Sequence, residues 1–303
     1  MDNSRALLVS FLALVALAHA DTTFSRPWAY AANAGWLNFA WNASANPEAA
    51  QIMRSFASGH VYAANLGWLH LGDGSPVDGV HYSQVNGDYG VNLDPATGAL
   101  SGYAYGGNIG WVRFDWASSA AMGTHAPRLD LTTGAFSGHA YGANIGWIRL
   151  DATSSTALAV THASEGADTD DDGIPDSYEY QTLASTGQPR SLGILGPNTD
   201  LDGDGVSDLE EYRAGTRAES GGDRLRATHA ARTSEGFVLD FSVAPGRVYD
   251  IQGSGTLAPG SWQTLASGIH APAGAGEHGV IITPPPGSTQ LFYRVIARDP
   301  LRP

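Results

Sequence analysis

The sequence contains no cysteine, and its 16 positively charged residues are all arginines. Without cysteine, the chain forms no disulfide and offers no thiolate as a nucleophile or metal ligand. Its stability must therefore come from the burial of apolar surface, with bound metal ions as the other available source. We attribute the absence of lysine to genome composition and not to function.

A basic stripe and the common catalytic motifs are also missing. The formal net charge is −14, and no stretch clusters arginines on one face, which argues against a nucleic-acid partner. The chain has no Gly-x-Ser-x-Gly, no His-Glu-x-x-His and no phosphate-binding loop. We therefore predict a protein without catalytic activity. A glycoside-active enzyme is the alternative, although any acidic chain offers two carboxylates for that chemistry.

Long apolar runs are absent after the first 20 residues. Arg5 precedes the apolar run ALLVSFLALVAL, and the small-x-small triplet Ala-His-Ala follows it. This arrangement predicts a secretory signal peptide over residues 1–20, because so short a run cannot cross a bilayer. We expect a secreted or extracellular protein without a membrane span, for which association with a cell surface is possible.

A repeat dominates the next part of the chain. The pattern Tyr-x-x-Asn-x-Gly-Trp occurs four times and ends at Trp36, Trp68, Trp111 and Trp147. Asn-x-Gly and Thr-Gly mark turns, and the runs between them are aromatic and branched, so each unit reads as a three-stranded β-meander. We predict a mainly β fold, with a β-repeat domain over residues 21–164. Its arrangement as a sandwich, a propeller or a solenoid stays open.

Each of these tryptophans opens a strand of the form Trp-φ-x-φ, in which φ is apolar: WLNF, WLHL, WVRF and WIRL. A period of two puts the apolar pair on one face and the tryptophan on the other. We expect the tryptophans to pack against the neighbouring repeat, because stacked units need interlocking aromatic residues. The alternative is an open row of indoles that binds sugar rings. The chain would then be a carbohydrate-binding accessory protein or part of a polysaccharide-degrading system.

The negative charge is concentrated in one segment. Residues 165–223 hold 15 acidic residues and 3 arginines, a net charge of −12. Two stretches in it, DTDDDGIPDSYE at 168–179 and DLDGDGVSDLEE at 200–211, repeat the same spacing. That spacing matches the EF-hand loop, which takes ligands from positions 1, 3, 5, 7, 9 and 12 and has glycine at 6. The predicted ligands are Asp168, Asp170, Asp172, Ile174, Asp176 and Glu179, then Asp200, Asp202, Asp204, Val206, Asp208 and Glu211.

These loops predict about two bound calcium ions, with Ile174 and Val206 contributing main-chain carbonyls. Magnesium is less suitable, because it prefers strict octahedral geometry and keeps its water shell. A solvated acidic linker would not repeat glycine at one offset or repeat the tyrosine after each glutamate, Tyr180 and Tyr212. Without a cation, the mutual repulsion of the carboxylates should leave these segments expanded or disordered.

The flanks of the loops predict helices on the exit side only. Pro175 suits a helix start, and Gly187 and Gly215 suit helix ends, whereas glycines and a proline precede the second loop. We therefore predict a calcium-binding connector over residues 165–221 with short exit helices. The stretches DTDDDGIPDSYEY and DLDGDGVSDLEEYRAGT resemble thrombospondin type-3-like calcium repeats of exported bacterial proteins. The resemblance implies carboxylate ligands and a stiff, calcium-ordered spacer. The 32 residues between equivalent positions argue against direct packing of loop on loop.

The remaining residues, 222–303, alternate again between apolar and polar. Phe237, Leu239 and Phe241 fall on one face of GFVLDFSV, and RVYDIQ, GVIIT and QLFYRVIA suggest further strands. This pattern predicts a C-terminal β-sandwich-like domain of seven or so strands. Together the three regions suggest an exported, calcium-binding structural, adhesion or matrix protein. Its partner would be a cell-surface or matrix protein or a polysaccharide.

Overall fold

The computed structural model describes residues 21–41, 48–115, 125–151, 157–271, 274–284 and 292–302, so the predicted signal peptide lies outside the described residues. The fold is mainly β, as predicted. The strands before the acidic loops are β1 (Thr23–Arg26), β2 (Trp28–Ala31), β3 (Gly35–Asn38), β4 (Gln51–Ile52), β5 (Phe56–Ala63), β6 (Gly67–Gly72), β7 (Val91–Leu93), β8 (Leu100–Gly106), β9 (Gly110–Arg113), β10 (Arg128–Leu129), β11 (Phe136–Ser137), β12 (His139–Gly142), β13 (Gly146–Arg149) and β14 (Ala159–His162). Helices α1 (Asp176–Thr186) and α2 (Asp208–Ala214) follow the acidic loops. The last strands are β15 (Ala227–Arg232), β16 (Phe237–Ser242), β17 (Val248–Ser254), β18 (Gln263–His270), β19 (Glu277–Ile282) and β20 (Phe292–Arg298).

The four sequence repeats form four antiparallel hairpins, β2–β3, β5–β6, β8–β9 and β12–β13. Neighbouring hairpins pair through β3–β5, β6–β8 and β9–β12, and β13 returns to pair with β2. These eight strands make a closed, barrel-like sheet, which we call the closed sheet. The predicted meander is confirmed in the third repeat, where β7, β8 and β9 pair in order. The arrangement is neither a sandwich nor a propeller nor a solenoid.

The Asn-x-Gly segment of each repeat forms the hairpin turn. In the first hairpin the amide of Ala34 donates to the Ala31 carbonyl at 3.1 Å, and Gly35 follows with φ of 82°. A turn closed by a residue in the left-handed region is the usual three-residue hairpin connection, and it favours glycine. The other three turns repeat the bond and the glycine conformation at Gly67, Gly110 and Gly146.

The asparagines of the repeat tie neighbouring turns together at one end of the closed sheet. Their Nδ2 atoms donate to a carbonyl in the preceding hairpin, at 3.1 Å from Asn65 to Ala34, 3.2 Å from Asn108 to Leu66 and 3.1 Å from Asn144 to Ile109. The asparagine of the first repeat lies beside the fourth turn, because a Cβ added to Gly146 would lie 3.2 Å from Asn33 Nδ2. The motif therefore serves both the turn and the closure of the sheet.

Side chains alternate across the closed sheet as the period of two predicts. The interior is filled by alanines and branched residues: Ala29, Ala31, Leu37, Val61, Ala63, Leu69, Ala104, Val112, Ala140 and Ile148. The four repeat tryptophans lie outside and are between 42% and 47% exposed. Our expectation that they pack between repeats was wrong. Each contacts the tyrosine of its own hairpin, with ring centroids 4.9 to 5.0 Å apart.

The residues after the acidic loops form two facing three-stranded sheets, β15-β16-β19 and β18-β17-β20. Their core includes Leu239, Phe241, Tyr249 and Ile251. All the strands expected here are confirmed, and the count within the described residues is six, against the seven or so expected. The C-terminal end returns to the first region, where Leu301 joins the core of the closed sheet. Neither helix in the described part of the chain has the length and apolar character needed to cross a membrane.

Replacing Gly110 by alanine is expected to destabilise the protein. Its φ is +77°, and the new Cβ would lie 3.0 Å from Asn144 Nδ2. A non-glycine residue held there costs about 1–3 kcal/mol in the free energy of unfolding. Gly107→Ala in the same turn is the matched control, because nothing lies within 4 Å of its Cβ. Urea unfolding followed by tryptophan fluorescence measures both variants, and equal stabilities would contradict this account.

Candidate metal centres

Each acidic loop gathers three aspartate carboxylates at one place. One oxygen from each of Asp168, Asp170 and Asp172 lies within 4.8 Å of the other two. Asp200, Asp202 and Asp204 form an equivalent group in the second loop. These six residues, which we call the two aspartate triads, include half of the predicted ligands. The described residues could therefore hold a metal ion at either triad.

The loops curl around their first aspartate. The Asp168 carboxylate accepts hydrogen bonds from the amides of Asp172 at 3.2 Å and Gly173 at 3.0 Å. Asp200 accepts in the same way from the amides of Asp204 at 3.2 Å and Gly205 at 2.9 Å. The two glycines have φ of 91° and 90°, which explains why both loops need glycine at the sixth position.

The closing glutamates are the most unusual groups of these loops. Glu179 and Glu211 lie in the first turns of α1 and α2, and both side chains are completely buried. Glu179 Oε1 accepts a bond from the Gly193 amide at 3.3 Å. Within the described residues, Glu179 Oε2 and both carboxylate oxygens of Glu211 have no hydrogen-bond partner. The same holds for one buried oxygen in each triad, Asp172 Oδ2 and Asp202 Oδ2.

Burial raises the pKa of Glu179 to about 8, and the nearby charges of Asp170 and Asp172 raise it as well. Burial likewise raises the pKa of Glu211 to about 8, with Asp202 and Asp204 as the next causes. Both shifts show that the ionised glutamates are disfavoured when only protein surrounds them. A cation between each triad and its glutamate would reverse that balance, and oxygen donors of this kind suit calcium and magnesium.

The aspartates at the ninth position, Asp176 and Asp208, are engaged in loop closure. Asp176 accepts bonds from the amide and hydroxyl of Thr169 at 2.7 and 2.6 Å. Asp208 accepts from the Leu201 amide at 2.9 Å and the Thr199 hydroxyl at 2.5 Å. Neither belongs to the triads. Their role as ligands stays a prediction, and the structure adds a structural role that spacing alone did not suggest.

The residue at the seventh position of each loop is hydrogen-bonded to the aspartate at the fifth position. The amides of Ile174 and Val206 donate to Asp172 and Asp204, at 2.8 and 2.9 Å, and these bonds hold the chain at the seventh position. Use of their carbonyls as ligands stays a prediction. Asp171, the one aspartate of the first loop outside the predicted ligand set, is exposed and has a left-handed φ of 57°.

The two loops pack on a common core, although their separation in sequence argued against it. Ile174, Tyr178, Leu183, Leu195 and Ala218 are buried together, and Leu209 and Tyr212 pack against them. The rings of Tyr178 and Tyr212 have centroids 5.0 Å apart. The expectation was wrong because residues 188–199 fold back beside the first loop, as the Gly193 contact with Glu179 shows. Both exit helices end as predicted, at left-handed Gly187 and Gly215.

Two arginines near the loops were not found by sequence reasoning. Arg224 Nη1 donates to the Asp204 carbonyl at 2.8 Å and pairs with the Asp204 carboxylate at 3.3 Å. The guanidinium of Arg54 lies over Tyr178 and Tyr212, at 4.9 and 5.7 Å from the ring centroids. Neither belongs to a motif, so no local signal indicated them. Of the two tyrosines that follow the glutamates, Tyr212 takes part in the second contact, whereas Tyr180 lies beneath the guanidinium of Arg190.

No family model, no curated protein and no solved structure matches this chain significantly.

Without divalent cations, the stability of the protein is expected to fall as the pH rises from about 4.5 to about 8. The folded-state pKa of Glu179 and Glu211 lies above the ordinary value of 4.5, so the native state binds more protons than the unfolded state across this window. Thermal unfolding in a chelator at several pH values measures the effect. Glu211→Gln should melt higher than the wild type at pH 8 and show a flatter pH profile. A melting temperature that does not change with pH in the chelator would contradict the raised pKa values of Glu179 and Glu211.

Proposed function

We propose that this chain is an exported, calcium-binding structural protein whose two acidic loops bind about two calcium ions. The observation that carries the proposal is the burial of Glu179 and Glu211, with unpaired oxygens, next to the aspartate triads. An uncompensated buried charge costs several kcal/mol. A divalent cation at each triad would compensate it and would link its own binding to the ordering of the loop.

Calcium fits the donors better than other common metals. The triads and the glutamates supply only carboxylate oxygens, which hard cations prefer, and a glutamate at the twelfth position suits a bidentate contact. Magnesium would need octahedral geometry and retained waters. We expect dissociation constants of about 10⁻⁴ to 10⁻³ M, the range of extracellular calcium modules. The signal-like segment over residues 1–20 supports export.

The connector lies against the first region through Arg54, which precedes β5. The Arg54 guanidinium covers both tyrosines, and burial lowers its pKa. Tyr178 directly precedes Glu179, and Tyr212 directly follows Glu211. A cation that fixes these glutamates would therefore also fix the two rings that hold the arginine, because each pair shares one helical turn. Cation–π contacts of this kind are strongest when they are desolvated.

The connector lies against the C-terminal sheets through Arg247. Its Nε and Nη2 donate to the carbonyls of Arg213 and Tyr212, both at 3.0 Å, at the end of α2. Its Nη1 pairs with Asp299 at 3.0 Å. The positive charge also suits the C-terminal end of a helix. We infer that the calcium-loaded connector holds the closed sheet and the C-terminal sheets in a fixed relative arrangement, and is not a free spacer. We call a connector with this role a bracket.

A structural role follows from this arrangement. A bracket that stiffens at extracellular calcium concentrations would keep the closed sheet and the C-terminal sheets in one fixed arrangement. That property suits a surface, matrix or adhesion component whose partner is a cell-surface or matrix protein or a polysaccharide. We propose no catalytic activity for this chain.

Calcium titration of the full chain is expected to show about two ions per molecule by calorimetry. Asp170→Asn should weaken binding to the first loop about tenfold or more, because the carboxylate count sets affinity in such loops. Asp171→Asn is the matched control, since it removes the same charge one residue away, outside the triad. Equal losses in the two variants, or no binding by the wild type up to millimolar calcium, would overturn the proposal.

Replacing Arg54 by leucine is expected to uncouple the connector from the first region while calcium still binds. Trypsin cleaves after arginine, and calcium should protect Arg213 and Arg217 of the wild type but not of Arg54→Leu. Arg149→Leu is the control, because Arg149 pairs with Asp151 on the exposed face of the closed sheet. Continued protection of Arg54→Leu would contradict the bracket, whereas loss of calcium binding would show that Arg54 supports the loops themselves.

A further inference from the structure

The outer face of the closed sheet carries an unusual amount of exposed aromatic surface. The side chains of this kind are Trp28, Tyr30, Trp36, Trp41, Trp68, Tyr89, Tyr105, Trp111 and Trp147. The fold does not require large aromatic residues there, because the interior of the sheet is already filled from its other face. Exposed apolar patches on soluble proteins commonly mark binding sites.

One part of this face is concave. A cleft of about 240 Å³ is lined by His70, Asp73, Gly87, Tyr89, Tyr103, Tyr105 and Trp111. It lies where the second and third hairpins meet, because His70 of β6 pairs with Tyr105 of β8. The loop before β7 forms its third side. Its volume is a little below the range of about 300–1,000 Å³ typical of pockets for drug-sized ligands, so it suits one or two small rings.

The aromatic lining is held rigidly before any ligand arrives. Trp111 is the most exposed of the repeat tryptophans, and three tyrosines contact it, with ring centroids at 4.9 Å for Tyr89, 6.0 Å for Tyr103 and 4.9 Å for Tyr105. A side chain that is already ordered loses little conformational entropy on binding. The tyrosines also bring hydroxyl groups to the edge of the apolar surface.

The loop that carries Tyr89 is braced from within. The buried Asp88 carboxylate accepts bonds from the amides of Ser83 at 2.7 Å and Val77 at 3.3 Å. The side-chain amide of Gln84 donates to the carbonyls of Tyr82 at 3.1 Å and Gly90 at 2.8 Å. Tyr89 is therefore positioned by its loop and does not depend on a ligand to order it.

The polar groups of the cleft suit hydroxyl ligands. Burial and the neighbouring His60 lower the pKa of His70, which favours the neutral imidazole with one donor and one acceptor. Asp73 accepts a bond from the Ser75 amide through Oδ1 and is exposed at the rim. The lining contains one acidic residue, Asp73, and no arginine, which disfavours anionic ligands.

Two other ligand classes fit this cleft less well. Nucleobases stack on aromatic side chains, but such sites also need a basic groove, and the chain has a net charge of −14. Quaternary ammonium groups need an aromatic cage around an open centre. Here all three tyrosines contact Trp111 directly, so the rings pack in one cluster and do not stand apart as the walls of a cage.

We propose that the cleft between the second and third hairpins is a binding site for a neutral saccharide, which stacks one ring on Trp111 and Tyr89 and directs its hydroxyls toward His70 and Asp73. A sugar ring has an apolar C–H face and a polar rim, and the cleft offers aromatic faces with hydrogen-bonding groups at the edge. The proposal is independent of calcium, because no lining residue belongs to the acidic loops.

The test is a titration of the full chain at saturating calcium with neutral oligosaccharides of glucose, xylose and N-acetylglucosamine, followed by tryptophan fluorescence and calorimetry. Trp111→Ala and Tyr89→Ala should each weaken binding about tenfold, as expected when one stacking aromatic residue is lost. Trp147→Ala is the matched control, because it removes the same residue type from the fourth hairpin, outside the cleft lining. Circular dichroism and melting temperature establish that each variant is folded.

If Trp111→Ala does not fold, Tyr89→Ala still tests the proposal, because Tyr89 lies on a loop and outside the four hairpins. Binding that is lost in Trp111→Ala and Tyr89→Ala but kept in Trp147→Ala supports the proposal. Failure of every oligosaccharide to bind at millimolar concentration overturns it. Equal losses in Trp111→Ala and Trp147→Ala overturn the assignment to this cleft. Choline chloride that binds when no oligosaccharide does assigns the cleft to a cation instead.

Discussion

The burial of two glutamates among aspartates is the constraint on which the connector depends. Glu179 and Glu211 are fully buried, and each is coupled to a triad of the same charge. Within the described residues, three of their four carboxylate oxygens have no hydrogen-bond partner, which is costly in a medium of low dielectric constant. The nearby tyrosines, Tyr178 and Tyr212, are placed by the same helical turns. In the arrangement that we propose, the charge balance of the loops would therefore control whether the surfaces that meet Arg54 and Arg247 are in position.

The closed sheet follows from a different constraint, the limited space inside eight strands. A sheet of this size has an interior just wide enough to be filled by side chains. Alanines such as Ala31 and Ala63 alternate there with branched residues such as Leu37 and Leu69. Indole rings do not fit among them, so the repeat tryptophans face outward. The closure of the sheet therefore explains why these indoles lie outside, but it does not require that aromatic residues occupy the outer face.

Much of the local structure could be predicted from the sequence, because it depends on contacts between residues near each other in the chain. The hairpin turns follow from Asn-x-Gly, the strand alternation from Trp-φ-x-φ, and the helix ends from Gly187 and Gly215. The triads also follow from spacing, since alternate residues of a loop curled around one aspartate point to one centre. The calcium identity and the resemblance to thrombospondin type-3-like repeats stay predictions.

Local sequence patterns are therefore enough to define the units: four hairpins, two acidic loops with exit helices, and an alternating C-terminal region. The way in which these units meet depends on the tertiary fold. The pairing of β13 with β2 closes the sheet across more than a hundred residues, and the fold-back at Gly193 brings the two loops onto one core. Arg54 reaches the tyrosines in the same way. Such contacts join residues far apart in the chain, and their energy depends on the packing of whole surfaces, which no local pattern encodes.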